Sequence, residues 1–176
     1  FRVADAQALP FPDATFDVVA SALVMNFIPD RPRALSEMRR VARAGGFVAG
    51  YVWDFAAELS PSWPLRRGMR QFGADIPELP GTRDSSLGAL NSLFEQAGFE
   101  RIATKSIEVT LSYSDFDDFW QAQTPSYSPT TKIIAAMTKS ERVRLMEAVR
   151  AGLPVRPDGK IEYSARANAI KARVPG

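Results

Sequence analysis

Two short apolar runs, residues 16–23 (FDVVASAL) and 47–53 (FVAGYVW), lie on either side of one helical pattern within about forty residues. Strand, helix and strand at this spacing is the parallel crossover unit, because parallel neighbours need a connection long enough to return over the sheet. Such crossovers are right-handed in nearly all sheets. The first run is bounded by the turn-rich residues 10–15, and its continuous apolar character predicts a central parallel strand buried on both faces. Between the runs, Asp30 is placed to cap a helix and Pro32 suits its first turn, while Ala34, Leu35, Met38, Val41 and Ala42 make one apolar stripe. Gly45 and Gly46 are expected to stop that helix. Arg33, Glu37 and Arg40 fall on its other side and read as a solvated face.

Beyond residue 53 the pattern loosens. Residues 55–84 carry Pro61, Pro64, Pro77 and Pro80 among scattered apolar residues, and are expected to form a lid or insert with a short helix. Residues 86–97 read as a helix with Leu87, Leu90, Leu93, Phe94 and Ala97 on one face and Gly98 as its stop. A strand follows from Phe99, with Ile107, Val109 and Leu111 expected on its buried face.

Residues 113–158 are expected to form a helical excursion. Ser114 with Asp117 resembles a helix start, and Phe116, Phe119 and Trp120 make an aromatic stripe, read as core packing with a substrate wall as the alternative. Residues 124–131 read as loop. Thr138 and Glu141 form a capping box before Val143, Met146 and Val149. A last strand alternates Ile161, Tyr163, Ala165, Ala167 and Ala169 with more polar positions.

Composition removes whole classes of chemistry. The 176 residues contain no histidine and no cysteine. Disulfides, thiolate or imidazole metal sites, Ser-His-Asp triads and cysteine nucleophiles are therefore unavailable within these residues. Lys and Arg number 22 against 20 Asp and Glu, a net charge of +2 that argues against a nucleic-acid footprint. No apolar run has the length of a membrane span, so no membrane partner is expected and a cytoplasmic location is the default expectation.

The most informative stretch is Asp5-Ala6-Gln7-Ala8-Leu9-Pro10-Phe11, followed by Phe16-Asp17-Val18-Val19. It resembles the segment joining the third and fourth strands of class I S-adenosylmethionine-dependent methyltransferases of the type-11, small-molecule kind. Glu37-Met38-Arg39-Arg40-Val41 before Gly45-Gly46, and Tyr51-Val52-Trp53-Asp54, fit the same register. The resemblance covers essentially the whole chain. It implies an α/β, Rossmann-like sheet lacking its first strands and ending in an antiparallel strand, with residues 1–176 as the C-terminal part of one methyltransferase domain. None of the eleven glycines is spaced as G-x-G. The resemblance therefore places the cofactor's glycine loop upstream of Phe1, and residues 1–4 as the end of a strand.

The implied function is methyl transfer from S-adenosylmethionine to a small-molecule acceptor by the full-length protein, with this segment alone expected to be inactive. Asp5, Ala6 and Gln7 are the implied cofactor residues at the adenine, because a carboxylate at a strand's carboxyl end accepts hydrogen bonds from an amino group. An Asp capping a turn is the alternative for Asp5. Leu9 and Phe11 offer apolar surface beside the base. Ser21, Ala22 and Leu23 fall at the methionine part of the cofactor. Asn26 and Trp53 fall toward the acceptor, with helix capping open for the first and core packing for the second. Asp54 and Tyr51 are the candidates for proton removal, and no metal is implied. Two rivals remain: a nicotinamide-dependent dehydrogenase, which suits the Leu-Pro-Phe turn and final strand less well, and a non-catalytic methyltransferase-like binding or scaffold subunit.

Overall fold

The computed structural model describes residues 1–176. Its elements are β1 (Phe16–Ala22), α1 (Arg31–Val41), β2 (Ala42–Trp53), α2 (Trp63–Phe72), α3 (Leu87–Gln96), β3 (Glu100–Tyr113), α4 (Phe116–Gln123), α5 (Pro129–Ala136), α6 (Lys139–Ala151) and β4 (Ile161–Arg173). A 3-10 turn, Met25–Phe27, separates β1 from α1. The sheet order is β1-β2-β4-β3. β1 and β2 pair in parallel across α1, as the crossover spacing predicts, and β4 runs antiparallel to β2. No helix is long and apolar enough to cross a membrane.

The residues group into two compact units, one of Phe1–Glu58, Leu79–Glu108 and Arg166–Gly176, the other of Leu59–Glu78 and Val109–Ala165. In the first unit one sheet face is covered: Val48 and Val52 of β2, with Ile170 and Ala172 of β4, pack with Leu35 and Met38 of α1 and Leu90 and Phe94 of α3. The other face is open. Val18 is 58% exposed, and Ala20 and Ala22 beside it are exposed too. Within residues 1–176, β1 stands at the edge of the sheet with one face packed and one uncovered, where its apolar run predicts a central strand buried on both faces.

Residues 1–4 are exposed coil rather than strand end, with no ladder partner. The end of α1 also differs from expectation. Ala42 turns extended at once (φ −82°, ψ 144°), so Gly45 and Gly46 lie inside β2 instead of closing the helix. They serve a bulge. The register jumps from Phe16 opposite Ala42 to Val18 opposite Phe47, and a Cβ on Gly46 would sit 2.8 Å from the Arg43 carbonyl and 2.9 Å from that of Asp17. Strand backbones approach there too closely for a side chain. α3 begins at its cap, with Ser86 accepting from the Ala89 N–H at 3.2 Å, as the pattern predicts.

The second unit holds α2, α4, α5 and α6. Leu65 and Met69 of α2, Phe116 and Phe119 of α4, Ile134 of α5, and Leu145 and Val149 of α6 form its core. Phe119 is fully buried, its ring 5.4 Å from Tyr113 and 6.2 Å from Tyr163. The aromatic stripe is core packing. Tyr163 donates to the Pro61 carbonyl at 2.6 Å, and burial holds its phenol well above the usual tyrosine range. The capping box at Thr138 and Glu141 is present. α4 is capped by Asp115, which accepts from Asp118 N at 2.9 Å, rather than by Ser114. α5 starts at Pro129, inside the stretch whose proline and serine content reads as loop, because proline suits a first helical turn.

Two strand expectations also change. Ile107 and Val109, on the sheet's other edge strand, are 41% and 37% exposed, since their face of β3 is left uncovered. β4 buries Ile161, Tyr163, Ala165 and Ala167, then switches phase to Asn168, Ile170 and Ala172. The alternation is therefore not continuous through Ala169: the buried face of the strand changes between Ala167 and Asn168.

Candidate functional site

The segment 5–15 has almost no backbone ladder of its own, so side chains fix its path. Asp5 Oδ1 accepts from the Gln7 N–H at 2.8 Å and from Gln7 Nε2 at 3.1 Å. This turn is the structural alternative foreseen for Asp5, and the Gln7 backbone N–H leads in pulling its pKa below the usual carboxylate value. The carboxylate stays exposed, with lone pairs to spare. Gln7 then ties the turn to the start of α1. Its Oε1 accepts from Asp30 N at 2.9 Å and its carbonyl from Arg33 Nε at 2.9 Å, while Asp30 caps the helix by accepting from Arg33 N at 3.0 Å.

Farther along α1, Glu37 Oε2 accepts from the Leu9 N–H at 2.7 Å. Arg40 donates to the carbonyls of Phe11 at 2.8 Å and Leu9 at 3.0 Å, and to Asp13 at 2.7 Å. Residues 33, 37 and 40 therefore grip this segment, and the solvated face expected from their spacing is occupied. Phe11 packs edge-on against Phe16, centroids 5.0 Å apart. Ala14 and Thr15 donate to the last carbonyls of α1, those of Arg40 at 2.9 Å and Val41 at 2.8 Å.

A second group of features stands at the carboxyl end of β1. Ser21 is half-buried and Ala22 exposed. Leu23 adopts φ +56° and donates to the Tyr51 carbonyl at 2.9 Å. A branched residue in the left-handed region costs roughly 1–2 kcal/mol, and such strain concentrates at ligand sites. Asn26 is 4% exposed, and its Nδ2 has no hydrogen-bond partner. Asn26 does not cap the segment before Asp30: Val24 stands at the start of the 3-10 turn and Asp30 at that of α1. The Asn26 carbonyl accepts from Arg31 Nη1 at 3.3 Å, and Arg31 also pairs with Asp84. Gly81, at φ +67°, lies over Asn26 so closely that a Cβ there would be 2.7 Å from the Asn26 carbonyl oxygen. The Arg31 guanidinium, paired with Asp84, and Gly81 thus both pack on the Asn26 backbone.

At the carboxyl end of β2 the structure separates the two groups expected to remove a proton. Tyr51 faces the open side of the sheet, 39% exposed, in a groove of about 460 Å³ with Ser21, Ala49, Lys105 and Ala169. Asp54, 3% exposed, accepts from Arg166 at 2.8 and 2.9 Å and from Ala57 N at 3.0 Å. It lines a different cavity, of about 370 Å³, with Ser86, Ser106, Arg166 and Asn168. Three residues apart on a strand end is an odd spacing, so the pleat sends the two side chains to opposite faces. Trp53 between them is half-buried. Sequence reasoning missed Arg31, Gly81, Asp84 and Arg166, whose partners lie 53 to 112 residues away for the two ion pairs; no local pattern marks such pairs.

Residues 1–50 match the family described as a methyltransferase domain. A solved structure from Bacillus halodurans, assigned to the methyltransferases, superposes with a TM-score of 0.56 at 17% identity, covering 98% of this chain and 70% of that one. The chain thus shares the fold of that structure, and its first fifty residues match the methyltransferase domain family. S-adenosylmethionine is the cofactor of that family. Among curated proteins, the arginine-hydroxylase NDUFAF5 of Rattus norvegicus is 33% identical over 113 residues, which are 63% of this chain and 32% of that protein. A phosphatidylethanolamine N-methyltransferase of Cereibacter sphaeroides is 38% identical over 71 residues, 40% of this chain and 34% of that protein. The chain thus spans about a third of the length of these relatives. The family match covers the Asp5 loop, β1, α1 and most of β2.

Proposed function

We propose that the protein carrying this chain transfers a methyl group from S-adenosylmethionine to a small-molecule acceptor. The supporting observation is the buried amide of Asn26, without a partner, just past a left-handed Leu23 and on the segment to which Gln7 ties the Asp5 turn. A buried donor left unpaired costs about 1–3 kcal/mol and is retained where a ligand atom completes it. The exposed Asp5 carboxylate accepts from the adenine amino group, the Ala6 N–H donates to a ring nitrogen, and Gln7 holds the turn. Ser21, Ala22 and Leu23 bring backbone to the methionine part. Asn26 and Trp53 face the acceptor.

When bound, the cofactor would supply an electrophilic methyl on a sulfonium for in-line transfer to an acceptor lone pair, with the neutral thioether as leaving group. The chain's contribution is alignment, which can supply roughly 7–11 kcal/mol without covalent or metal chemistry. Asp54 is committed to Arg166 and to the Ala57 N–H, so we assign it to holding the end of β2. Tyr51, exposed on the open face, is left as the candidate of the two for orienting an acceptor through its phenolic oxygen. The similarity to an N-methyltransferase supports a methyl-transferring reaction.

The NDUFAF5 similarity supports a second reading, because a relative of comparable identity is named for hydroxylation of arginine. On that reading the fold binds a cofactor or partner without transferring a methyl. Calorimetry with S-adenosylmethionine on the protein from its natural start codon, followed by transfer from isotopically labelled cofactor, separates the two. Binding with turnover of label is the expected result; absence of binding sinks the methyltransferase reading.

A further inference from the structure

We propose that Glu37 and Arg40 are positioning residues that set the adenine-facing loop from the polar side of α1. This rests on the cofactor reading above and adds residues to it. The loop at Leu9 to Phe11 has three backbone groups that α1 side chains satisfy: Leu9 N–H on Glu37, and the Leu9 and Phe11 carbonyls on Arg40. Within that stretch the one backbone bond is Phe11 N–H to the Leu9 carbonyl at 2.9 Å. The loop's shape is therefore dictated by one helix face.

The pair is also internally rigid. Arg40 Nε meets Glu37 Oε1 at 2.7 Å and Nη2 meets Oε2 at 2.8 Å, a two-point contact that fixes both planes. Glu37 Oε2 is shared between Arg40 and the Leu9 N–H, so the loop is keyed to the guanidinium as well as to the carboxylate. Arg40, above all, and the Leu9 N–H after it hold the Glu37 carboxyl down at about 2, so it stays ionised at any pH at which the protein works. Lysine would not replace Arg40, since a single ammonium cannot span two carbonyls and the carboxylate together.

A latch of this kind acts on cofactor affinity and not on the transfer step. The test is a KM-against-kcat comparison on the protein from its natural start codon, with calorimetric Kd for S-adenosylmethionine. Glu37→Ala is expected to raise Kd and cofactor KM roughly ten- to hundredfold, the scale of misplacing a binding group, with kcat and acceptor KM near parental. Glu37→Gln keeps an oxygen for the Leu9 N–H and is expected to recover part of the loss. Arg156→Ala, which removes an exposed ion pair with Glu162 in the second unit, serves as the control and should leave Kd unchanged. If Glu37→Ala does not fold, Arg40→Lys carries the same expectation. Parental binding with unchanged Kd in folded Glu37→Ala overturns the latch alone. Equal losses in cofactor KM, acceptor KM and kcat, tracking melting temperature, overturn it as well by making the pair merely structural. No binding by the parent overturns the cofactor reading and with it the latch.

Discussion

The two units spend their buried polar groups differently. In the second, Tyr163 and Tyr113 sit in an aromatic cluster with each hydroxyl engaged, one donating to Pro61 and the other accepting from Gln123 Nε2 at 2.9 Å. In the first, the end of β1 keeps Leu23 in a left-handed conformation and Asn26 with an unused donor. Each unit has one buried side-chain atom without a partner, but that of the second is the Thr131 hydroxyl, a single rotatable group in the first turn of α5. On the function proposed above, the strain and the orphan amide belong to the site, whereas satisfied aromatics mark a core. The contrast says that substitutions in the second unit should be read in stability and those around β1 in activity.

The largest expected effect tests the core side. Phe119 is fully buried against Tyr113, Phe116 and Tyr163, so Phe119→Ala should cost about 3–5 kcal/mol of stability, read from the midpoint of a urea transition. A cost under about 1 kcal/mol would mean that the aromatic stripe is not the core and would reopen its reading as a substrate wall. Next is Asp54→Asn, which leaves Arg166 without its carboxylate. Arg166 is partly exposed, 31% by side chain, so water offsets some of the loss and about 1–3 kcal/mol is expected. If Asp54 only holds the end of β2, kcat at a fixed folded fraction stays near parental; a thousandfold fall in kcat would return it to the role of base.

What could be read from the sequence follows the range of the interactions. The α1 crossover, the cap at Asp30, the capping box at Thr138 and the α3 face were legible because each depends on residues within a few positions of one another. The Asp5 loop was located by its resemblance to a family, yet its latch was not: the spacing of Arg33, Glu37 and Arg40 shows that they share a side, and nothing local says what that side meets. Edge strands were misjudged for the same reason. The apolar character of β1 and of Ile107 and Val109 is a property of the segment, while coverage is decided by which elements lie opposite. Gly45 and Gly46 were given to a helix end because glycine pairs occur there; the bulge that uses them depends on the carbonyl of Asp17 in another strand.

A smaller effect sharpens the latch through pH. Glu37 has a folded pKa of about 2 against 4.5 for the free side chain, so it binds protons less readily in the folded state. Its contribution to stability is complete above about 4.5 and is lost as pH falls toward 2. In Glu37→Gln that part of the acid dependence should vanish, and the stability curves of parent and variant should converge as pH drops through this window. Curves that stay parallel from neutral pH to pH 2 would show that the ion pair forms no more in the folded protein than in the unfolded one.

The smallest effect on stability carries the sharpest functional contrast. Asn26→Ala removes a donor that the fold leaves unpaired, so the usual penalty for deleting a buried polar group is absent. Stability should stay within about 1 kcal/mol of parental or rise, since the desolvated amide is a cost the variant no longer carries. Activity should move the other way, with acceptor KM raised and cofactor Kd little changed if Asn26 faces the acceptor. Thr131→Val in the second unit is the matched comparison: it too removes an unpaired buried group, and it should leave both constants alone. If Asn26→Ala loses more than about 2 kcal/mol and keeps parental kinetics, the amide is a structural group in this unit, of the same standing as the hydroxyls in the other. If it gains stability and loses acceptor affinity, the fold has been holding an unsatisfied donor in place for a ligand to complete.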